Sequence, residues 1–198
     1  MTLLVKEKPT RTPFVPSNVW RISVARYLEM VEADIFQDDH VELLEGIIVE
    51  KMTANPPHAD ILDLLVSLLA RLLPLSYTVG NQRPFLTDDS VPEPDILVYL
   101  RIKHSGKHPT SANAPLLIEI SDSTLAYDQG RKKRIYARSG LMQYWIVNIP
   151  ERQIEVYTQP RNGTFSQVRI YSGADQVPVQ LNSQQFGSVK LTDLFSIL

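Results

Sequence analysis

The sequence has 198 residues, of which 43% are hydrophobic and 21% charged, values that are ordinary for a globular protein with a sizeable core. It contains no cysteine, which excludes disulfides and thiolate metal sites. The formal net charge of −2 excludes a global attraction to nucleic acid, so any basic surface must be local.

The beginning of the chain predicts an extended arm that leads into one domain. Residues 1–19 are rich in proline and show little hydrophobic periodicity. Residues 20–198 carry periodic segments, and we expect them to form a single domain. No apolar run follows the first charged residues, and the most apolar window, 61–75, is too short to span a bilayer. We therefore expect a cytoplasmic protein with no membrane partner.

The first elements in the chain are a short helix and a hairpin. The helix has Ser23 as its predicted N-cap and carries an apolar side. Its expected buried residues are Tyr27, Leu28 and Val31. Residues 40–52 predict a β-hairpin, because two apolar runs flank a turn at Glu45-Gly46.

The clearest helix extends from Pro56 to about Leu73. Asn55 is its predicted N-cap, and proline suits the first turn, where a missing N–H does no harm. Leucines recur at helical spacing along one face, so we expect the helix to be mostly buried. His58 falls in the first turn, and we expect it to be neutral because a helix N-terminus disfavours a cation.

The rest of the chain predicts a sheet interrupted by one helix, from about Leu125 to Arg138 and closed by Gly140. Strands are predicted over 77–86, 95–100, 116–121, 143–149 and 153–158, with edge strands over 165–171 and 177–181. A short final helix begins near Thr192. This order of elements predicts an α/β (α+β) fold in which a central mixed sheet is flanked by helices.

One predicted strand carries a carboxylate in its apolar interior. Side chains alternate along a strand, so Leu117, Glu119 and Ser121 point to the same face. A buried carboxylate is costly unless it is paired, protonated or bound to a metal. Asp95 opens the preceding strand directly after Pro94, and we expect the two strands to be adjacent in the sheet. Two carboxylates together with water molecules supply the oxygen ligands that Mg²⁺ prefers.

A basic helix follows the strand of Glu119. Asp128, Lys132 and Tyr136 are spaced four apart, so they share one helix face. If the helix packs back across the sheet, this face brings Lys132 over Glu119.

Each of these residues also has a purely structural explanation. Asp95 lies next to proline, a combination common in turns, and Glu119 is equally compatible with a buried arginine partner. Asp128 and Lys132 have the spacing of an ordinary ion pair on a solvated helix face. Residues 131–134 are compatible with a solvated basic face. Glu42 is compatible with an edge-strand charge and His58 with a capping or core histidine.

The residues in this order resemble the PD-(D/E)XK nucleases with the restriction-endonuclease-like fold, and among them the Uma family of endonucleases, a DUF-type family. The resemblance covers roughly residues 22–160. It rests on Glu42-Leu43-Leu44-Glu45-Gly46, His58, Pro94-Asp95, Leu117-Ile118-Glu119-Ile120-Ser121, Ser123-Thr124, Asp128, Lys132, Tyr136, Gly140 and Tyr144-Trp145-Ile146-Val147. The standard motif has its lysine two residues after the glutamate. Ser121 occupies that position here, and the resemblance implies that Lys132 takes the place of the lysine.

The resemblance implies hydrolysis of DNA phosphodiester bonds with Mg²⁺ or Mn²⁺, which would polarise the phosphate and activate a bound water. The implied catalytic residues are Glu42, His58, Asp95, Glu119 and Lys132. The implied metal ligands are Asp95, Glu119 and the backbone carbonyl of Ile120. His58 is expected to position Glu42 or a phosphate. The candidate contacts to the DNA backbone are Arg101, Lys103, Arg131, Lys133 and Arg134.

We also expect a homodimer. Two sites related by a two-fold axis suit the cutting of both strands of a duplex. In addition, the sequence predicts more exposed strand edge than one domain usually leaves uncovered, at Tyr144, Trp145 and the strands after Tyr157.

Two other functions stay open at the level of sequence. A binding module that has lost useful catalysis is favoured by the near-neutral charge and by Ser121. An interaction protein would use the apolar helix over 56–73 to hold a partner. Metal binding at Asp95 and Glu119 distinguishes a nuclease from an interaction protein.

Overall fold

The computed structural model describes residues 18–51, 55–101 and 106–198. Nearly all of the predicted arm lies outside these ranges, and so does Lys103.

A central six-stranded sheet organises the fold. Its strands are β3 (Tyr77–Asn81), β4 (Ile96–Leu100), β5 (Leu116–Ser121), β6 (Gln143–Asn148), β7 (Gln153–Arg161) and β8 (Thr164–Ser172), after the hairpin of β1 (Val41–Leu44) and β2 (Ile47–Glu50). Their spatial order is β3-β4-β5-β6-β7-β8. β5 and β6 are parallel, whereas the other neighbours in the sheet are antiparallel. The sheet is therefore mixed, as the sequence predicts.

A second hairpin, of β9 (Gln176–Leu181) and β10 (Gln184–Lys190), follows the sheet. β10 is not among the strands that the sequence predicts. The helices are α1 (Val24–Glu32), α2 (Pro56–Leu72), α3 (Leu125–Tyr127), α4 (Lys133–Arg138) and α5 (Leu191–Leu194), with a π-helical segment over Asp128–Lys132 and a 3₁₀ turn over Phe195–Ile197. None of the helices in the described ranges combines the length and the apolar composition that crossing a membrane requires.

Helices cover both faces of the sheet. On one face α2 and the β9–β10 hairpin pack against alternate residues of the central strands, such as Ile96 and Ile118. On the other face α4 and the first hairpin pack against the intervening residues, such as Leu97 and Leu117. The buried side of α2 thus belongs to the core of its own domain, which removes the reason to regard this helix as a docking element for a partner.

Three expectations from the sequence are wrong. The strand predicted over 77–86 ends at Asn81, because Gln82 has a φ of +47° and the chain leaves the sheet there. Val31 is 49% exposed although it was expected on the buried side of α1. Tyr144 and Trp145 are fully buried in the middle of the sheet, so they supply no exposed edge for a dimer.

The core around α2 gives a first prediction. Leu65 is completely buried, and its replacement by alanine should lower the free energy of unfolding by about 2–5 kcal/mol, because a cavity remains between α2 and the sheet. Leu75 is 85% exposed, and Leu75→Ala should change the free energy of unfolding by less than about 0.5 kcal/mol. Urea unfolding of the three proteins tests this, and equal losses for both variants would contradict the packing described here.

Candidate active site

Asp95 and Glu119 meet because β4 and β5 are neighbours. The antiparallel register pairs Ile96 with Ile118, so Asp95 lies beside the next residues of β5. The Ile120 N–H donates a hydrogen bond to Oδ2 of Asp95 at 2.8 Å, and the Asp95 N–H faces Oε2 of Glu119 at 3.3 Å. The predicted adjacency of these two strands is therefore confirmed.

Glu119 is 4% exposed and is surrounded by donors. Its Oε1 accepts hydrogen bonds from the Lys132 ammonium at 3.1 Å and from the Tyr136 hydroxyl at 2.6 Å. The cation that compensates this buried carboxylate is therefore a lysine, not the arginine that a purely structural explanation invoked.

Lys132 also contacts the first hairpin. Its Nζ lies 3.1 Å from Oε2 of Glu42, which in turn accepts the Glu93 N–H at 3.1 Å. Glu42 and Lys132 are 2% and 5% exposed, so the ammonium is held between two buried carboxylates. The structure thus brings Glu42, Asp95, Glu119 and Lys132 together.

A π-helical segment places Lys132 in this position. Residues Asp128–Lys132 interrupt the α-helix, a feature that is rare and frequent at functional sites. Oδ2 of Asp128 accepts hydrogen bonds from the hydroxyls of Ser121 at 2.7 Å and Thr124 at 2.6 Å. Asp128 is therefore buried against the end of β5, and an ordinary ion pair with Lys132 on a solvated helix face is excluded. The sequence shows the spacing of these residues, but it gives no signal for the π segment.

His58 has a different partner from the one expected. Its Nε2 lies 3.0 Å from Oδ2 of Asp95, whereas Glu42 is held by Lys132 and by the backbone of Glu93. Asn55 caps α2 as predicted, by accepting the N–H of His58. Burial lowers the pKa of His58, but the hydrogen bond and the negative charge of Asp95 outweigh burial and hold the pKa above its ordinary value. This shift runs against the expectation of a neutral imidazole, which considered the helix N-terminus alone.

Burial and the neighbouring charges both shift the pKa values in the cluster. Burial raises the pKa of Glu119 to about 8, because the nearby charge of Asp95 adds to burial and Lys132 offsets only part of the sum. Burial lowers the pKa of Lys132, but Glu119, Glu42, Asp128 and Asp95 together hold it well above its ordinary range. The lysine is thus charged, whereas the carboxylate form of Glu119 is disfavoured. A further cation at this place would stabilise that carboxylate.

The donor set fits a divalent metal ion of the Mg²⁺ type. Within the described residues, no group of three or more acidic or histidine side chains is arranged as a complete metal site. Mg²⁺, however, commonly binds one or two carboxylates and keeps several waters. In the described ranges the bonds to Asp95 use Oδ2, which leaves Oδ1, while Oε2 of Glu119 accepts only one long bond.

The carbonyl of Ile120 is a third oxygen at this place. The N–H of Ile120 points towards Asp95, and the N–H and C=O of one strand residue point to the same edge. The register between β4 and β5 ends at the pair of Ile96 and Ile118, so this carbonyl lies beyond the paired residues, on the edge of β5 that faces Asp95.

The basic residues of the π segment and of α4 have intramolecular partners. Arg131 donates to the carbonyl of Leu44 at 2.7 Å and to Glu45 at 3.2 Å. Arg134 also binds Glu45, and the Lys133 ammonium lies 4.8 Å from the ring centre of Tyr157 in β7. The contacts of Arg131 and Arg134 anchor the first hairpin to these two helical segments.

Arg101 lies at the opposite end of β4 from Asp95, about 20 Å away for an extended strand, so the structure does not bring it beside the acidic residues. Its guanidinium contacts Thr78 of β3. Lys103 lies outside the described residues.

Comparisons with known proteins show the family and the fold of the chain. The model of the Uma2 family, described as "Putative restriction endonuclease", matches residues 24–189. Among solved structures, the chain is similar to a protein from Anabaena variabilis ATCC 29413, described as a putative nuclease belonging to DUF820, with a TM-score of 0.68 and 19% identity. The match covers 88% of this chain and 98% of that one, and at this identity it shows a shared fold alone. A search of curated proteins finds no match.

Proposed function

Because the chain belongs to the Uma2 family of putative restriction endonucleases, we propose that it hydrolyses DNA phosphodiester bonds with a divalent metal ion, Mg²⁺ or Mn²⁺. The observation that carries the proposal is the meeting of Asp95, Glu119 and Lys132 in one buried cluster. Two hard oxygen donors can hold the metal ion for phosphodiester hydrolysis, and a fixed ammonium beside them can stabilise the negative charge that develops.

Asp95, Glu119 and the carbonyl of Ile120 would hold the metal ion. When bound, such an ion polarises the phosphate and lowers the pKa of a coordinated water. Protonated Glu119 is a poor ligand, so binding of the cation and loss of the Glu119 proton are linked.

Lys132 would contribute a fixed positive charge. Glu42 and Tyr136 hold the groups of the cluster in place. Glu42 binds the Lys132 ammonium, and Tyr136 binds the Glu119 carboxylate that the ammonium contacts. A positioned ammonium can donate to the attacking water and to the phosphate oxygens as negative charge develops on them. Glu42 is thus assigned as a positioning residue for Lys132.

His58 would orient Asp95, since its imidazole and the Ile120 N–H bind the same carboxylate oxygen. This contact gives a prediction for the metal-free protein. The pKa of His58 is raised on folding, so its ion pair stabilises the fold below about pH 6.5 and is lost as the pH rises through the raised pKa.

The difference in free energy of unfolding between wild type and His58→Gln should therefore be largest in mild acid and should shrink in alkaline solution. Urea unfolding at a series of pH values, in the presence of a chelator, measures this difference. A difference that does not change with pH would contradict a charged His58.

For contact with the DNA backbone, Arg134 is the most suitable of the basic residues on α4, because its side chain is 53% exposed although it is paired with Glu45. Arg131 is only 15% exposed and is held more firmly by its contacts with the first hairpin. A homodimer remains part of the proposal, because two sites related by a two-fold axis suit a duplex substrate. Its surface cannot be the one around Tyr144 and Trp145, which are buried.

A cleavage assay tests the proposal. End-labelled duplex DNA and an RNA duplex of the same sequence would be incubated with Mg²⁺, with Mn²⁺ or with a chelator. We expect cleavage of DNA that requires the metal ion. Cleavage of RNA alone would overturn the assigned substrate. Binding of DNA without cleavage under either metal ion would favour the alternative, a catalytically inactive nucleic-acid-binding module on the same fold.

A further inference from the structure

Strand β8 leaves one edge of the central sheet open. Within the described part of the chain, β8 is paired with β7 alone and forms the end of the sheet. It is nine residues long, and its residues Val168 and Ile170 are 55% and 57% exposed. A long edge strand with exposed apolar side chains is a template for pairing with another strand.

The other end of the sheet is shorter and is flanked by the second hairpin. β3 has five residues, and its Tyr77 contacts the ring of Phe186 at a centroid distance of 5.6 Å. Asn182 also donates a hydrogen bond to the Tyr77 hydroxyl. The open edge at β8 is thus a specific feature of this end of the sheet.

β8 also lacks the features by which edge strands usually avoid pairing. It contains no proline and no lysine, and Arg169 is its only charged residue. The turns beside it carry positive φ angles at Asn162, Gly163 and Gly173, and Gln159 of β7, opposite Ser166, has a φ of +57°, whereas β8 itself has none. The pairing with β7 is regular from Gln167 to Ser172.

The register of the hairpin shows which backbone groups face outward. The backbone of β8 alternates between groups that bond to β7 and groups that face outward. Ser172 faces away from β7, because its N–H donates to Oδ2 of Asp175 and its carbonyl accepts the Asp175 N–H. The regular pairing from Gln167 to Ser172 therefore directs the backbone groups of Val168 and Ile170 outward as well.

We propose that a second copy of this chain pairs antiparallel with β8, about a two-fold axis that passes by Val168. In this register Val168 faces Val168 of the second copy, Gln167 faces Arg169, and Ser166 faces Ile170. The two Val168 residues then exchange their backbone hydrogen bonds across the axis, and like charges are not opposed. A register centred on Arg169 would place two guanidinium groups opposite each other, which is unfavourable.

This interface specifies the homodimer of the proposed function. A two-fold axis perpendicular to the sheet leaves the faces that carry Glu119 on the same side of the joined sheet. With strands about 4.8 Å apart, the two β5 strands lie roughly 34 Å from each other. Both clusters would thus face one elongated substrate such as a duplex.

Cysteine cross-linking tests the register, since the natural chain contains no cysteine. The Val168 pair is of the hydrogen-bonded type, in which Cα atoms lie about 5.5 Å apart, within the range that a disulfide spans. We expect Val168→Cys to form a covalent dimer under mild oxidation. Val31→Cys, at a comparably exposed valine on α1, should stay monomeric on a non-reducing gel.

Light scattering gives a second and independent readout. At micromolar concentration the wild type should have the mass of two chains, Val168→Lys the mass of one, and Val31→Lys the mass of two. A monomeric wild type, or a Val168→Lys protein that stays dimeric, would overturn the proposal. Neither measurement depends on cleavage, so a monomer that cleaves DNA would remove the interface and leave the nuclease function intact.

Discussion

Replacement of Lys132 by methionine should reduce the rate of DNA cleavage by about 10²–10³-fold. The ammonium lies 3.1 Å from both Glu42 and Glu119, so it is fixed beside the carboxylates that would hold the metal ion. Methionine keeps much of the length of the side chain but removes the charge and its three donors. Initial rates of cleavage at saturating metal concentration measure the loss.

The stability of the protein must be separated from this effect. Without Lys132 two buried carboxylates lose their counter-ion, which typically costs about 3–5 kcal/mol of folding free energy. The double variant Lys132→Met/Glu42→Gln removes one charge of each sign and should recover part of that stability without recovering cleavage. Lys133→Met is the matched control, because it removes a neighbouring ammonium whose described contact is the ring of Tyr157. A double variant that cleaves at the wild-type rate, or a Lys133 variant that loses as much as the Lys132 variant, would refute the role of Lys132.

Replacement of Asp95 by asparagine should weaken the binding of Mn²⁺ by more than about 100-fold, because changes to residues that only support a metal ligand already cost about 10–100-fold. The amide keeps the shape of the carboxylate but removes its charge. Titration calorimetry of the two proteins with Mn²⁺ measures the change in affinity.

Asp128→Asn is a suitable comparison for this experiment. Asp128 is 4% exposed and Asp95 6%, so both substitutions remove a buried carboxylate. The described bonds of the Asp128 carboxylate come from Ser121 and Thr124, and we expect the metal affinity of this variant to stay within several-fold of wild type. If Asp128→Asn abolishes Mn²⁺ binding and Asp95→Asn does not, the metal ligands are assigned to the wrong residues.

The sequence predicts the parts of the fold that local patterns determine. The apolar runs around Asp95 and Glu119 indicate strands, and alternation along β5 separates Ile118 from Glu119 correctly. Asn55 is recognisable as an N-cap from its position before a proline-led helix. These features depend on residues close together in the chain, and so they are visible without a structure.

The partners within the site depend on contacts between residues far apart in the chain. Lys132 reaches Glu42 across 90 positions of sequence only because the first hairpin folds over α4, and no local pattern shows this. His58 likewise pairs with Asp95 because α2 begins beside the end of β4. The π segment needs one extra residue in a helical turn, and this is invisible in a spacing that already fits an α-helix.

Burial of aromatic residues is the other feature that the sequence obscures. Tyr144 and Trp145 are adjacent, so they point to opposite faces of β6, and an exposed edge is one explanation for such a pair. In the structure both faces of β6 are covered, and each ring is completely buried. Within the strands of the central sheet, the exposed large apolar residues are instead Val168 and Ile170 of β8. In the sequence these two residues look unremarkable.

Cleavage of supercoiled plasmid in the presence of Mn²⁺, compared between the intact protein and Asp95→Ala, tests most directly whether this cluster is a metal-dependent nuclease centre. We predict that the intact protein converts the plasmid to nicked and linear forms, that a chelator stops the reaction, and that Asp95→Ala leaves the plasmid supercoiled. A folded Asp95→Ala protein that cleaves as fast as the intact protein would contradict the account, and so would an intact protein that binds Mn²⁺ and leaves the plasmid uncut.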